Sequence, residues 1–558
     1  MRDFTTIEKQ AYDVVIIGGG INGAGVARDA ATRGLKTILV EKNDFASGTS
    51  SWSSRLIHGG LRYLEYFEFP LVREALKERE VLFHTAPHLV NPLLLTIPMY
   101  RDRSRPYWKI WAGMILYDIF SFDKTVPLHR MLPKLQFKRL FNSTDPEGLA
   151  GGAQYYDGQV CYAERLCLEN IIAAQEAGAT VLNYAKVTKL NRQNSSITTL
   201  SCEDVLTGAE FTIQGHDKTV VINTSGPWVD DICQLGEESG NSAPIGKTKK
   251  IGGTKGSHII VERFPGAPET AFYVEAKSDG RPFFIIPWLD MYLIGTTDLK
   301  YDGDLDKIKA SNEEIDYLLT ETNNVIATAN LTRADIKFTY SGVRPLPNEE
   351  GKKAGSITRK HILYDHKKEG INNLISLIGG KLTTYRNVGE EMVDAVYRKR
   401  KEKAPGCVTD QEALPGYILP SDPRIASAIN EFGDRINLKS MAYLFSVYGL
   451  KTFDILDLVN SNPELGEKIT DDQPDIKAQI VYAVNNEFAQ TLVDITRRRT
   501  ALAIKTHYGL NILPVIIEVL KQYCDWSQEK CDRLYQDYCK YMEDNCIPDY
   551  QIKQLANL

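Results

Sequence analysis

The chain has 558 residues, 43% apolar and 25% charged, with 66 Lys+Arg against 72 Asp+Glu for a formal net charge of −6. At roughly 150 residues per domain this is a globular chain of two to four domains, and its acidic balance argues against a nucleic-acid partner. No apolar stretch reaches the ~18 residues of a membrane-crossing helix, and the polar start MRDFTTIEKQ has no signal-peptide core, so a cytoplasmic location is expected. Nine cysteines without a CxxC pair read as reduced thiols; the spacings of 7, 8 and 7 from Cys524 to Cys546 suit a helix face, and no metal is expected.

In chain order, YDVVIIGGG predicts a buried strand ending in glycines, INGAGVARDAATRG a helix stopped by Gly34, and LKTILVE a second buried strand ending at Glu41. Together they form a right-handed βαβ unit. Gly18, Gly20 and Gly23 make G-x-G-x-x-G at its first turn, with Glu41 23 residues after Gly18. The glycines allow the tight turn, the approach of a pyrophosphate to the helix N-terminus, and close helix–strand packing. A carboxylate at Glu41 would accept from an adenosine ribose and repel a 2′-phosphate. A flavin is favoured over a nicotinamide because the polar stretch ASGTSSWSSRLIHGG follows at once.

Residues 99–140 hold nine Lys/Arg against three acids with eight aromatics, including Trp108 and Trp111 in YWKIWAGMILYDIF. That pattern suits attachment to an anionic lipid surface, the competing reading being an ordinary amphipathic helix. Helical spacing at 164–177 is followed by strand-like runs to 222 with a turn at Thr207–Gly208. Antiparallel strands are expected over 248–300, with FFIIPW and MYLIGTTD joined through Leu289–Asp290, then a helix over 311–330 and the strand KFTYSGVRPL. A second glycine turn, LISLIGGKLTTYR (374–386), is expected to open a helix at Gly380–Lys381 facing the pyrimidine end of the flavin. Residues 404–423 hold four prolines and read as a linker; beyond them helical periodicity dominates. Arg497, Arg498 and Arg499 are expected to be solvated or structural.

DVVIIGGGINGAGVARDAATRGL, SSRLIHGGLRYLE, APHL, GPWVD, TKGSHI, IIPW, GTTD, SGVRPL and GGKLTTYR, colinear over roughly residues 12–400, resemble the FAD-dependent glycerol-3-phosphate dehydrogenases. NNEFAQTLVDITRRRT (485–500) is similar to the helical domain that closes them. The resemblance implies an α/β fold like that of D-amino-acid oxidase. A Rossmann-like FAD-binding domain (12–100, 151–235, 346–403) is interleaved with the basic, aromatic segment (101–150) and a β-rich substrate domain (236–345). The linker (404–423) and an all-helical C-terminal domain (424–558) follow.

It also implies oxidation of glycerol 3-phosphate to dihydroxyacetone phosphate, with electrons passed to membrane quinone from a peripheral site on the inner face of the cytoplasmic membrane. The alternatives are an oxidase that gives electrons to oxygen and a redox sensor without turnover. A homodimer is left open. The residues expected around FAD are Gly18, Gly20, Asn22, Gly23, Glu41, Lys42, Thr49, Ser50, Ser51, His58, Gly226, Gly380, Lys381, Leu382 and Thr383. Arg62, Tyr63, Arg344, Arg359 and Lys381 are expected on the substrate, since planar guanidinium forks suit phosphate. His58 and His258 are both candidate bases, beside Arg344 and Lys381 as further catalytic groups, and Asp298 is a candidate orienting group.

Overall fold

A computed structural model describes residues 4–101, 105–238, 240–349, 351, 357–505 and 507–555. Asp102 and Arg103 of the basic segment lie outside them.

The first sheet is built on buried β-branched runs. Strand Ala11–Ile17 lies between Thr37–Val40 and Glu210–Asn223, with Thr180–Leu182 beyond the former and Leu374–Ile378 beside the latter, all parallel. Such strands are covered on both faces, so their residues are apolar without alternation. Helices Ile21–Thr32, Ala163–Glu176 and Tyr385–Arg400 cover one face. Two of them cross at glycines: a Cβ at Gly389 would lie 2.8 Å from Gly25 O. An antiparallel extension, Ala185–Gln193 and Ser196–Asp204, continues from the near end of Glu210–Asn223.

The second sheet is mixed and mostly antiparallel. Thr254–Val261 pairs with Ile336–Arg344 and Met291–Gly295; Pro282–Trp288, Ala271–Glu275, Val90–Tyr100 and Leu149–Val160 follow in turn. Leu289 (φ +53°) and Asp290 (φ +62°) make the tight hairpin turn. Strand period sets the two faces: Gly256 and His258 line a cavity, while Ser257 between them donates to Glu314 (2.8 Å) on the covering helix. That helix runs Asn312–Val325, opened by a capping box from Ser311 to Glu314, and stops short of residue 330.

Helices from Pro423–Phe432 to Asp549–Leu555 make the C-terminal unit. The proline-rich segment before it is packed down, with Arg28 donating to Glu412 O (2.7 Å) and Leu414 N to Thr85 O (2.9 Å). The arginine run lies in a π-turn, Asp494–Arg499, that drives into the first domain. All three arginines are buried, so of the two expectations, solvated or structural, it is the structural one that the ion pairs realise. Arg497 pairs with Glu164, Arg498 with Asp494 and Asp44, and Arg499 with both oxygens of Asp44 (2.7 and 2.8 Å).

Candidate active site

The nucleotide end forms where the first strand stops. Gly18 has φ +109°, and a Cβ there would lie 2.7 Å from Thr224 O; a Cβ at Gly23 would overlap Gly18 O. Only glycine lets strand, turn and helix meet this closely. Glu41 accepts from Gly19 N (2.7 Å) and Asn43 N (2.9 Å), while burial pushes its carboxyl up. A carboxylate has about four acceptor sites, so capacity remains for ribose hydroxyls. Ser50 Oγ accepts from Ile21 N (2.9 Å) and lies 3.2 Å from where a Cβ of Gly20 would stand, so it sits at the helix N-terminus.

The two glycine turns converge. A Cβ at Gly380 would lie 2.8 Å from Asn22 Nδ2, and Asn22 Oδ1 is buried without a hydrogen-bond partner among the described residues. His58 N donates to Thr383 Oγ1 (3.1 Å), tying the LIHGG loop to the second turn. The helix after that turn begins at Tyr385, four residues later than expected. Gly379 (φ +81°) and Gly380 (φ +94°) hold the intervening chain in a left-handed bend that a helix cannot include. Lys381, Leu382 and Thr383 therefore face the cavity from a loop, not from a helix end.

Not every expected cofactor residue sits there. Ser51 is buried, its hydroxyl donating to Ala46 O (2.6 Å), and its carbonyl accepts from Arg55 and Arg497. Lys42 points outward, over the Trp228 ring and onto Asp306 (2.7 Å). Gly226 (φ +61°) opens a turn with nothing within 4 Å of a would-be Cβ. Thr49 does face the cavity and donates to Val343 O (2.7 Å).

The cavity of about 300 Å³ lies between the second sheet and the two glycine loops. His58, His258, Arg62, Tyr63, Arg344, Arg359 and Lys381 all line it. Asp298 brackets two arginines, accepting from Arg344 Nη1 and Arg359 Nη2 at 3.2 Å each. Burial pushes its carboxyl up, but the two guanidiniums outweigh that and hold it below its ordinary range. Arg344 Nη2 also donates to Thr296 Oγ1 (3.0 Å). Three arginines, Arg62, Arg344 and Arg359, thus face two cavity carboxylates, Asp298 and Glu68, leaving a site suited to an anion.

Opposite in character are Lys381 and the histidines. Lys381 Nζ stands 3.8 Å from the Tyr63 ring centroid and has no hydrogen-bond partner among the described residues. Burial, against the pull of Glu74 and Glu68, brings its pKa down to about 7. His258 Nε2 meets Ser54 Oγ (2.9 Å) and its buried Nδ1 has no partner among the described residues. Burial and then Arg344 push His258 well below 6.5, so it is neutral. His58 falls to about 4 through burial, despite Asp157. Asp157 was not visible in the sequence: it accepts from Tyr117 OH (2.7 Å) and Arg79 Nη1 (2.8 Å), partners contributed by two distant helices.

The residues present fit a flavin dinucleotide: a glycine cradle at a helix N-terminus, a ribose-ready carboxylate, an orphaned Asn22 oxygen and a cavity with hydride-acceptor and substrate sides. The family model for FAD dependent oxidoreductases matches residues 13–386, and that for the C-terminal domain of alpha-glycerophosphate oxidase matches 407–531. Fold and site thus define an FAD-dependent oxidoreductase of the D-amino-acid-oxidase type with an added helical domain. Glycerol-3-phosphate dehydrogenase of Synechocystis is 60% identical over 99% of this chain and 100% of its own length. D-erythritol 1-phosphate dehydrogenase of Brucella abortus is 36% identical over 88% and 95%. The structure of glycerol-3-phosphate dehydrogenase from Bacillus halodurans complexed with FAD aligns with TM-score 0.77 at 27% identity, covering 97% of this chain and 96% of that one. The chain belongs to the FAD-dependent glycerol-3-phosphate dehydrogenase family.

Proposed function

We propose that the chain oxidises sn-glycerol 3-phosphate to dihydroxyacetone phosphate and delivers the electrons to membrane quinone. The observation that carries this is the chemistry of the cavity: Arg344 and Arg359 are joined by Asp298, and the same cavity is lined by Lys381 and His258, whose Nζ and Nδ1 have no hydrogen-bond partner among the described residues. Bound FAD supplies the acceptor for the hydride leaving C2. Arg344 and Arg359, with Arg62, hold the phosphate through charge-assisted forks. Tyr63 packs beneath Lys381 and keeps water from it.

Lys381 is the group whose pKa matches its task, since a base near neutral pH is both unprotonated and strong enough to accept. The neutral histidines orient the hydroxyl. Around FAD we assign Gly18, Gly20, Asn22, Gly23, Glu41, Thr49, Ser50, Gly380, Leu382 and Thr383.

A quinone acceptor requires contact with a bilayer, and one face supports it. Helix Tyr107–Phe120 buries Ile110, Met114 and Tyr117, yet its other side exposes Trp108 (68%), Trp111 and Ile119, with Phe122 (77%) just beyond. A helix apolar on both sides is not an ordinary amphipathic surface helix. Exposed Arg130, Lys134, Lys138 and Arg139 follow it in the chain. Among the described residues no helix is long and apolar enough to cross a membrane, so attachment would be interfacial. The proposed location is the inner face of the cytoplasmic membrane.

Anaerobic addition of glycerol 3-phosphate should bleach the flavin, and glycerol should not; bleaching by glycerol would overturn the phosphate assignment. Reoxidation by a quinone analogue much faster than by oxygen supports the dehydrogenase reading, and the reverse supports an oxidase.

A further inference from the structure

We infer that Glu74, His361 and Glu391 form a proton exit from Lys381 to solvent. The inference rests on Lys381 as the base. Each turnover removes a hydride and a proton from the alcohol, and the proton must leave a buried lysine before the next substrate can react. Lys381 Nζ has no hydrogen-bond partner to carry it among the described residues.

The elements around Lys381 supply one. Glu74, on helix Phe69–Thr85, lies 3.8 Å from His361 Nδ1, and His361 Nε2 meets Glu391 Oε2 at 2.8 Å on helix Tyr385–Arg400. The imidazole is 4% exposed, Glu74 20% and Glu391 49%, so accessibility is lowest in the middle of the chain and highest at its outer end. Asn387 Nδ2 donates to Glu74 Oε1 (3.4 Å) and to Glu391 Oε1 (3.0 Å), holding the two carboxylates on either side of the ring. The glycine turn packs on the same place: a Cβ at Gly379 would lie 3.5 Å from His361 Cα.

The charged groups facing Lys381 are Glu74, Glu68 and Arg359; Glu74 also feels Glu78, and Glu391 feels Lys360. Burial raises Glu74 above its ordinary value, which suits a carboxylate that must take up a proton at neutral pH. An imidazole between two carboxylates accepts at one nitrogen while releasing from the other.

The step balances. The C–H bond leaves with its electron pair for the bound flavin, the carbonyl forms, and the hydroxyl proton goes to Lys381 Nζ. The ammonium returns to amine by passing its proton, through one bridging water, to Glu74. His361 takes it on Nδ1 through a second bridging water across the 3.8 Å gap and gives one from Nε2 to Glu391, which loses it to solvent.

The test uses the holoenzyme under anaerobic conditions, following flavin absorbance together with a pH-indicator dye after mixing with glycerol 3-phosphate. In Glu74→Gln the first bleaching should stay within about twofold of the unmodified enzyme, while proton release and steady turnover slow about tenfold and imidazole buffer restores them. Glu391→Gln, at the surface, should shift release in the same direction and carries the test if Glu74→Gln loses its flavin. Release in step with bleaching in both variants overturns the relay. If instead Lys381→Met bleaches at the unmodified rate, the base assignment itself fails, a result distinct from failure of the relay.

Discussion

Arginines do opposite things at two places in this molecule. Between the first domain and the helical unit, Arg55, Arg165, Arg497, Arg498 and Arg499 meet Asp44, Glu164, Glu169, Glu487 and Asp494, five cations and five anions, all buried. In the cavity, Arg62, Arg344 and Arg359 face Asp298 and Glu68. Neutrality marks the first cluster as scaffold, because an unpaired buried charge is intolerable there. The positive excess of the second is tolerable only where an anion will enter. Residue type is the same in both; the local charge balance separates structure from function.

Variants that upset either balance should have different signatures. Arg499→Ala strips Asp44 of its bidentate partner in the dry cluster and should cost about 3–5 kcal/mol of stability, read from urea unfolding. A loss below about 1 kcal/mol would mean the pair is not buried as described. Arg344→Ala should instead leave unfolding and flavin content near normal while kcat/KM for glycerol 3-phosphate falls by about 2–5 kcal/mol, roughly 30- to 5,000-fold. Loss of flavin with it would make the residue scaffold after all.

Acid gives a smaller effect that sharpens the contrast. The scaffold arginines, acting against burial, hold Asp44 and Glu164 at about 2, from ordinary values of 3.8 and 4.5. Their contribution is complete above those ordinary values and is lost as pH falls towards 2. The urea midpoint should therefore drop more steeply below pH 4.5 than in an Asp44→Asn, Arg499→Met double variant; parallel curves would refute the assignment. Activity should follow the other cluster, rising as pH passes about 7 and Lys381 loses its proton. Smallest of all, Lys134→Gln and Lys138→Gln should each weaken binding to anionic vesicles by about 1 kcal/mol, with soluble-dye turnover unchanged.

Much of this architecture was legible in the sequence. Glycine spacing and β-branched runs announce the nucleotide arm because those features are local, and the Leu289–Asp290 hairpin follows from two short apolar runs, FFIIPW and MYLIGTTD, with two residues between them. The cavity cations were found through motifs rather than periodicity. What stayed hidden depended on distant pairings: Asp157 among Tyr117 and Arg79, or Asp44 beneath Arg498 and Arg499. The helix after the second glycine turn starts only at Tyr385 because two left-handed glycines delay it, and the Ser51 hydroxyl turns inward onto Ala46 O, neither of which a local motif reveals.

The π-turn also has a bearing on how the chain comes off the ribosome. Asp44 waits 454 residues for Arg498 and 455 for Arg499, so the loop carrying Thr49 and Ser50 is clamped only when synthesis is nearly finished. A chain lacking that turn would own the whole glycine fingerprint and leave Asp44 with its Asn183 hydrogen bond but neither guanidinium.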